Sequence, residues 1–307
     1  MKKLFLASTV LAATTGLAAA DVTLSGDARM GLTKSSTANS DAQFSSRARV
    51  TFTASGETDS GLSFGASFRA DNAATRLVPD GSDAGDAPDV AGGANSGAAG
   101  SVFIEGAFGK LSMGDVDSAA EAAVGQVAAI SFAGLGDTNE INYIGAGASD
   151  GDPVVLYTYS VDAFKVFLSA NDSSAAATQS FGIGASYSID SYGISLGYED
   201  GGADTKTYIG LTGKFGPVSA KLVAADQSST VAAREGREYA LSLTYAADML
   251  AVTAFYNVDD RPAVALKKYG VGASYDLGGG AKLVAGIAGD SAAGNDTAYD
   301  LGLTFSF

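Results

Sequence analysis

Large apolar residues alternate with small or polar ones along most of the chain, in segments of about ten residues. In residues 21–33, Val22 and Leu24 fall on one face of a strand, and Thr23 and Arg29 fall on the other. A period of two indicates a β-strand with one apolar and one polar face. Sixteen such segments are predicted, at residues 21–33, 43–55, 62–69, 101–107, 110–116, 154–161, 164–170, 179–189, 193–200, 205–215, 217–226, 237–247, 249–258, 267–276, 281–289 and 298–307.

The connections between these segments alternate between tight turns and longer polar stretches. Phe108-Gly109, Asp162-Ala163 and Phe215-Gly216 are tight, whereas residues 117–152 form one long connection that includes the short apolar piece Ile141–Ala146. Short turns at one end and longer loops at the other are typical of a membrane β-barrel. An even number of strands then places both termini at the short-turn end, which is the periplasmic side.

The last segment predicts the closing strand of such a barrel, because its apolar face ends on an aromatic residue. The residues expected to face lipid are Tyr299, Leu301, Leu303, Phe305 and Phe307. Eight strands leave an interior that side chains fill, but sixteen leave an aqueous channel. We therefore expect an all-β fold over residues 21–307, a sixteen-stranded antiparallel transmembrane barrel.

The first twenty residues predict a cleaved signal peptide. Lys2 and Lys3 form a basic start, residues 4–17 are mostly apolar, and Ala18-Ala19-Ala20 offers a cleavage site. The apolar stretch is too short for a spanning helix. The chain is expected to be exported, with residues 21–307 as the mature domain.

Composition excludes several classes of function. The formal net charge is −15, with 34 acidic residues against 19 basic ones, which disfavours nucleic acid as a partner. Cysteine is absent, so there is no disulfide framework and no thiol chemistry. Histidine is also absent, which removes the commonest general base and counts against a hydrolase.

Two sets of charged residues are candidates for a constriction in the channel. Four arginines, on the inward face of the first three strands, form the expected basic side: Arg29, Arg47, Arg49 and Arg69. The expected acidic side lies in the long connection and comprises Asp115, Asp117, Glu121, Asp137 and Glu140. Ser118 and Glu121 have capping-box spacing, which predicts a short helix over residues 122–130.

If the long connection folds into the barrel, its carboxylates oppose the arginines across a narrow opening. Opposed rings of charge create a transverse field that orients polar solutes and hinders apolar ones. The alternative is that the arginines are solvated sheet charges and the connection merely covers the barrel mouth. No cofactor is expected, although acidic loops such as Glu199–Asp204 offer oxygen ligands for Ca²⁺ without the regular spacing of a calcium loop.

Several runs together resemble the general porins of alphaproteobacteria, over nearly the whole mature chain. These runs are Leu24-Ser25-Gly26-Asp27-Ala28-Arg29-Met30-Gly31, Phe44-Ser45-Ser46-Arg47-Ala48-Arg49-Val50, residues 59–68, Phe108-Gly109-Lys110-Leu111-Ser112-Met113-Gly114-Asp115, Tyr275-Asp276-Leu277-Gly278-Gly279-Gly280-Ala281 and the terminal phenylalanine. Each run is unspecific alone, whereas their order and spacing are specific.

The resemblance implies a homotrimer in the Gram-negative outer membrane, inserted among lipid by the barrel-assembly machinery, with an infolded third loop at 117–152. It implies that the four arginines supply the basic side of the constriction and that Asp115, Asp117 and Glu121 supply the start of the acidic side, whereas Asp137 and Glu140 lie where such loops diverge. It also implies calcium as a possible ligand. The expected function is passive diffusion of small hydrophilic solutes and ions, with mild cation preference, and no enzymatic step. The alternative from another class is an adhesin or structural barrel that acts through its external loops; an outer-membrane hydrolase ranks third, and a solute-specific porin remains open.

Overall fold

The computed structural model describes residues 21–75, 100–135, 137–145, 154–171, 179–261 and 264–307. The expected signal peptide, residues 1–20, lies outside the described residues, as do residues 136 and 146–152 of the long connection. The described strands agree closely with the alternation in the sequence. They are β1 (Asp21–Lys34), β2 (Gln43–Glu57), β3 (Ser63–Thr75), β4 (Gly100–Gly106), β5 (Gly109–Gly114), β6 (Val154–Val161), β7 (Phe164–Asn171), β8 (Phe181–Ile189), β9 (Tyr192–Asp200), β10 (Asp204–Phe215), β11 (Val218–Ser229), β12 (Gly236–Ala247), β13 (Leu250–Asp259), β14 (Leu266–Gly278), β15 (Ala281–Asp290) and β16 (Ala298–Ser306).

The sixteen described strands form one closed antiparallel barrel in which each strand pairs with its neighbours in sequence and β16 returns to β1. Met30 lies opposite Leu303 in this closing pair. Beyond the register of β16, Gly26 N donates to Phe307 O at 2.7 Å, and Phe307 N donates to Gly26 O at 3.0 Å. The final residue therefore extends the closing pair, which satisfies backbone groups that an open edge would leave unpaired.

The two faces of β16 confirm the predicted alternation. Tyr299 and Leu301 are exposed on the outside, whereas Asp300 between them is 3 % exposed and faces the interior. Leu303 lies opposite the exposed Met30 of β1 and Leu283 of β15, so it belongs to the same outer face.

Exposed aromatic rings form two belts on the outer face, as expected at the two membrane–water interfaces. The belt near the short turns contains Phe164, Tyr187, Tyr192, Phe215, Tyr245 and Tyr275, and the belt near the loops contains Phe181, Tyr239, Tyr256, Tyr269 and Tyr299. One strand tyrosine departs from this rule. Tyr208 of β10 is fully buried and faces the interior, where its ring stacks on Tyr143 with centroids 4.6 Å apart.

The hairpins at one end of the barrel close through two-residue turns. Asp162, Asp190 and Asp248 each begin such a turn with φ of 51°, and Gly216 does so with φ of 60°. Positive φ at this position matches the right-handed twist of the paired strands. The predicted alternation of tight turns and longer loops is confirmed by these hairpins.

The helix in the long connection begins and ends earlier than predicted. The helix α1 spans Ala119–Val124, and Ser118 caps it by accepting the Glu121 backbone N–H at 3.2 Å. Gly125, with φ of 62°, ends the helix, because a glycine in this conformation terminates the helical hydrogen bonding. The cap was predicted correctly, whereas the predicted range 122–130 is wrong. In the described part of the chain, no helix has the length and apolarity needed to cross a membrane.

Residues 115–135 and 137–145, here called the infolded segment, lie against the inner face of the barrel. Ala119 N donates to Ser169 Oγ of β7 at 2.8 Å, and Ala128 N donates to Ser242 Oγ of β12 at 3.0 Å. Farther along, Asp300 of β16 accepts from the backbone N–H groups of Phe132 and Ala133 at 3.1 and 2.8 Å. Since these side chains point away from the exposed apolar face, the segment is inside the barrel.

Inward-facing glycines bring this segment directly onto the strand backbone. They form a bed that consists of Gly184, Gly197, Gly210, Gly272, Gly286 and Gly302. A Cβ at Gly197 would lie 2.7 Å from Cβ of Ala120, and one at Gly302 would lie 2.9 Å from the ring of Phe132. Any larger residue at these positions would push the segment toward the centre of the barrel.

The return end of the segment is held by buried polar groups from β9, β10 and β12. Lys206 Nζ donates to the carbonyl of Asn142 at 2.7 Å and also contacts the carboxylate of Glu238. Glu199 accepts from the backbone N–H of Ile144 at 2.7 Å. We call this cluster the latch; its members are Glu199, Lys206, Tyr208 and Glu238, and each is less than 5 % exposed.

Substitution of Gly197 with alanine is expected to displace α1 from β9, since the new methyl group would overlap Ala120. Overpacking of this kind costs roughly 1–3 kcal/mol. Gly100→Ala is the matched control, because the atoms nearest to its Cβ lie at 3.4 and 3.7 Å, which are ordinary contacts. Thermal unfolding of both variants in detergent, followed by circular dichroism, measures the difference. Equal midpoints would contradict close packing on the glycine bed.

Lys206→Met is expected to lower the free energy of unfolding by about 3 kcal/mol, since it removes one partner of a buried ion pair. It also releases the carbonyl of Asn142. Arg237→Met is the control, because its pair with Asp226 joins two side chains that are each 60 % exposed. Thermal unfolding compares the two, and a loss in Lys206→Met no larger than in the control would exclude the latch as an anchor.

Candidate functional site

The infolded segment covers only part of the inner wall. Its anchors and close approaches described above come from β7 to β10, β12 and β14 to β16, and α1 packs across β7 to β10. The open cross-section of the barrel therefore lies between the segment and the strands β2 to β6. This opening is the candidate functional site.

The register places the four predicted arginines on one inward face of three adjacent strands. Arg29 of β1 lies opposite Arg47 of β2, and Arg69 of β3 lies opposite Thr51, two residues beyond Arg49. Neighbouring strands are about 4.8 Å apart, so the guanidinium groups share one region of the wall. Arg47, Arg49 and Arg69 are half-buried there.

Arg29 differs from the other three arginines because it lies beneath the infolded segment. It is 8 % exposed, and its Nη1 donates to the carbonyl oxygen of Phe132 at 3.2 Å. Its neighbour Arg47 instead pairs with Asp27 at 3.1 Å. Arg29 thus joins the basic wall to the segment, and no pattern in the sequence predicts this contact.

The predicted acidic residues lie along the infolded segment. Asp115 and Arg69 line the same small cavity of about 180 Å³, so the segment begins beside the arginine wall. Asp117, Asp137 and Glu140 are exposed within the barrel, and Glu121, on α1, is half-buried.

The carboxylates of the segment are close enough to raise one another's pKa. Burial raises the pKa of Glu121 to about 7, and the negative charges of Asp117, Glu140 and Glu199 add to this effect. Burial and then the charge of Asp115 raise the pKa of Asp117. Burial and the charge of Asp137 also raise the pKa of Glu140, although the ammonium of Lys268 opposes this shift. Burial and, after it, the charges of neighbouring carboxylates therefore act together on Asp117, Glu121 and Glu140.

Several residues that shape the site were missed in the sequence. Lys206 and Glu238 of the latch, and Asp300 beneath the segment, were each predicted to be strand residues but were not assigned a role. Alternation places all three charges on the inward faces of their strands. Such an inward charge is a signal in the sequence that the residue has a role inside the barrel. Lys206 and Asp300 bind backbone groups of the infolded segment, and Glu238 pairs with Lys206, so no local pattern in the sequence predicts these contacts.

A metal site is not evident in the described residues, where no group of three or more acidic side chains has the arrangement needed to hold an ion. In the loop proposed for calcium, Asp204 instead accepts from Ser229 and pairs with Arg234 at 3.3 Å. Asp200 accepts from the backbone N–H of Gly202 at 2.8 Å, as in an ordinary turn. Calcium binding stays a prediction.

Comparisons with known proteins agree with this geometry. A family model described as Gram-negative porin matches residues 7–295. A porin from Rhodobacter capsulatus is 35 % identical over 94 % of this chain and 100 % of its own, and one from Fuscovulum blasticum is 28 % identical over 87 % and 92 %. A solved porin structure refined at 1.8 Å resolution superimposes with a TM-score of 0.77 at 34 % identity, covering 94 % of this chain and 100 % of that one.

The family match covers nearly the whole chain, and the sixteen-stranded barrel with its open cross-section is the architecture of a channel. The chain belongs to the Gram-negative porin family and forms a water-filled channel in the outer membrane.

Proposed function

We propose that this porin is a general diffusion channel for small hydrophilic solutes and ions, with a mild preference for cations. The observation that supports this function is the packing of the infolded segment on the wall from β7 to β16, which leaves the wall that carries the arginines of β2 and β3 uncovered. The solute gradient is the only driving force. No side chain performs a covalent step, and the chain has no histidine to act as a general base.

In this proposal Arg47, Arg49 and Arg69 form the basic side of the constriction, and Arg29 supports it from beneath the segment. The acidic side consists of Asp115, Asp117, Glu121, Asp137 and Glu140. A field between two opposed charged walls orients dipolar solutes and raises the barrier for apolar ones. Cations are favoured because the acids of the segment outnumber the arginines of the open wall.

We also propose a homotrimer whose contacts lie on the outer face of β1 to β5. That face carries exposed apolar side chains, among them Leu24, Phe44 and Phe68. The sequence has no tyrosine before Tyr143, so the tyrosine belts are confined to β6 through β16. Tyrosines mark the interface between membrane and water, and their absence from β1 to β5 favours contact with other subunits there.

The remaining outer face meets lipid, and β16 with Phe307 is the segment that the assembly machinery would recognise.

Planar-bilayer recordings of the purified protein in KCl test the channel and the trimer together. We expect long-lived conductance steps that close in three equal levels. Under a KCl gradient, the reversal potential should favour K⁺ by about threefold, which corresponds to about 0.7 kcal/mol. A preference for chloride would refute the proposed selectivity, and closure in one level would refute the trimer.

The same recordings assign the acidic side. The double variant Glu121→Gln and Glu140→Gln should lower the preference for K⁺ toward unity. Asp226→Asn removes a charge from an exposed residue of β11 that lies on the outer face, so it should leave the selectivity unchanged. A similar loss in this control would mean that total charge, and not the constriction, sets the preference.

The raised pKa of Glu121, at about 7, predicts selectivity that depends on pH near neutrality. An ordinary glutamate, with a pKa of about 4.3, stays ionised over this range. As pH falls from 8 to 6, Glu121 takes up a proton and the preference for K⁺ should fall by about half. The free energy of unfolding should change in the opposite direction with pH. Folding raises the pKa of this carboxyl, so its contribution to stability is lost as pH rises through 7.

Reversal potentials of wild type and of Glu121→Gln at pH 6, 7 and 8 check this dependence. The variant should show a flatter profile, whereas Asp226→Asn, which removes a charge from the outer face, should keep the slope of the wild type. A slope that persists in Glu121→Gln would assign the titration to another group.

A further inference from the structure

A second, polar cavity lies at the loop end of the barrel, on the side that the infolded segment covers. It has a volume of about 590 Å³, within the range of about 300–1,000 Å³ that is usual for small-molecule sites. Its polar lining comes from the return end of the segment, the outer ends of β10, β11 and β13, and the short 3₁₀ helix Ala232–Arg234. The side chains that matter are Asn142, Asp204, Gln227, Arg234, Asp259 and Arg261.

The charges of this lining are balanced and fixed. Arg261 makes a bidentate pair with Asp259, through Nε at 2.8 Å and Nη2 at 2.7 Å. The same guanidinium donates to Gln227 Oε1 and to Glu238 Oε1, each at 2.9 Å. Arg234 pairs with Asp204 at 3.3 Å. Because each guanidinium has a carboxylate beside it, the cavity offers little net attraction to either a cation or an anion.

The cavity still presents donors and acceptors to a solute. The side chain of Arg234 is 60 % exposed, and its pair with Asp204 uses only Nη1, so its other N–H groups can donate to a solute. Asn142 is exposed and supplies both an amide donor and an amide acceptor. The carboxylates of Asp204 and Asp259 have further lone pairs available.

A hydroxyl group both donates and accepts hydrogen bonds. A wall of alternating guanidinium, carboxylate and amide groups satisfies several adjacent hydroxyls at once, in a rigid arrangement that needs little ordering on binding. Apolar solutes gain nothing here, because they would desolvate the charged groups without replacing their hydrogen bonds to water. The chemistry of the lining therefore selects a neutral solute with many hydroxyl groups.

We propose that this cavity is a low-affinity binding site for a neutral polyhydroxylated solute of the size of a mono- or disaccharide. The site rests on the proposed channel function, since it concentrates such solutes at the loop end of the pore. It is separate from the constriction, whose arginines lie on β2 and β3. Arg234 is the main contact of the solute, and Arg261 positions Asp259 and Gln227.

Sucrose in planar-bilayer recordings tests the proposal. Beyond the fall in current that follows the conductivity of the bulk solution, wild type should show a saturable reduction of current with excess noise. Arg234→Ala should weaken the apparent affinity for sucrose about tenfold, as expected for the loss of one charge-assisted hydrogen bond. This pair with Asp204 is exposed, so its removal should leave the fold intact.

Arg237→Ala is the matched control, because it removes the same charge three residues away, from a residue whose side chain pairs with Asp226 on the outer face. It should keep the sucrose affinity of wild type. A current that follows bulk conductivity alone, or equal affinities in wild type and Arg234→Ala, would overturn the site while leaving the channel intact. A saturable effect of glycine that depends on Arg234, without one of sucrose, would assign the cavity to zwitterions and overturn the proposal.

If the protein gave no conductance, the proposed channel function would fail independently. Saturation-transfer NMR of sucrose with the detergent-solubilised protein would then decide the site. Transfer that is lost in Arg234→Ala and kept in Arg237→Ala would support it, and no transfer to the wild-type protein would exclude it.

Discussion

Backbone contact between the infolded segment and the glycine bed determines the shape of this channel. Without side chains at Gly197, Gly272 and Gly302, the segment lies directly on the wall and leaves the opposite side open. Buried backbone groups need partners, and Ser169, Ser242 and Asp300 supply them from the strands. The position of the constriction follows from this packing. The charged residues act on solutes only where the packed segment leaves them exposed to the lumen.

The interior charges divide into two groups with different consequences. Lys206, Glu238 and Arg261 are paired and largely removed from water, so they hold the segment and contribute little field to the lumen. Glu121 and Glu140 of the segment lie near other carboxylates instead, and burial together with this repulsion raises the pKa of each. One wall of the barrel thus holds the loop through paired, buried charges, while the exposed acids of the segment lie beside the opening.

The strands were predictable because alternation is a local property that a two-sided wall imposes on every segment. All sixteen strands agree with the sequence within a few residues, apart from β3, which continues to Thr75. The helix shows the limit of local reasoning: Ser118 identifies its start, but Gly125 ends it before the apolar residues that suggested a longer range. Residues such as Val127 and Ile130 are apolar because they are buried against the wall, not because they belong to the helix.

The barrel, its strand number, the inward face that carries the arginines and the acidic character of the long connection can all be predicted from the sequence. Each of these depends on periodicity or composition, which can be seen within a single segment of the chain. The folded chain adds which wall the segment covers, that Arg29 lies beneath it, and that Lys206, Glu199 and Asp300 anchor it. These contacts join residues from 55 to 167 positions apart. No local pattern encodes them, because the closed barrel is what brings such distant residues together.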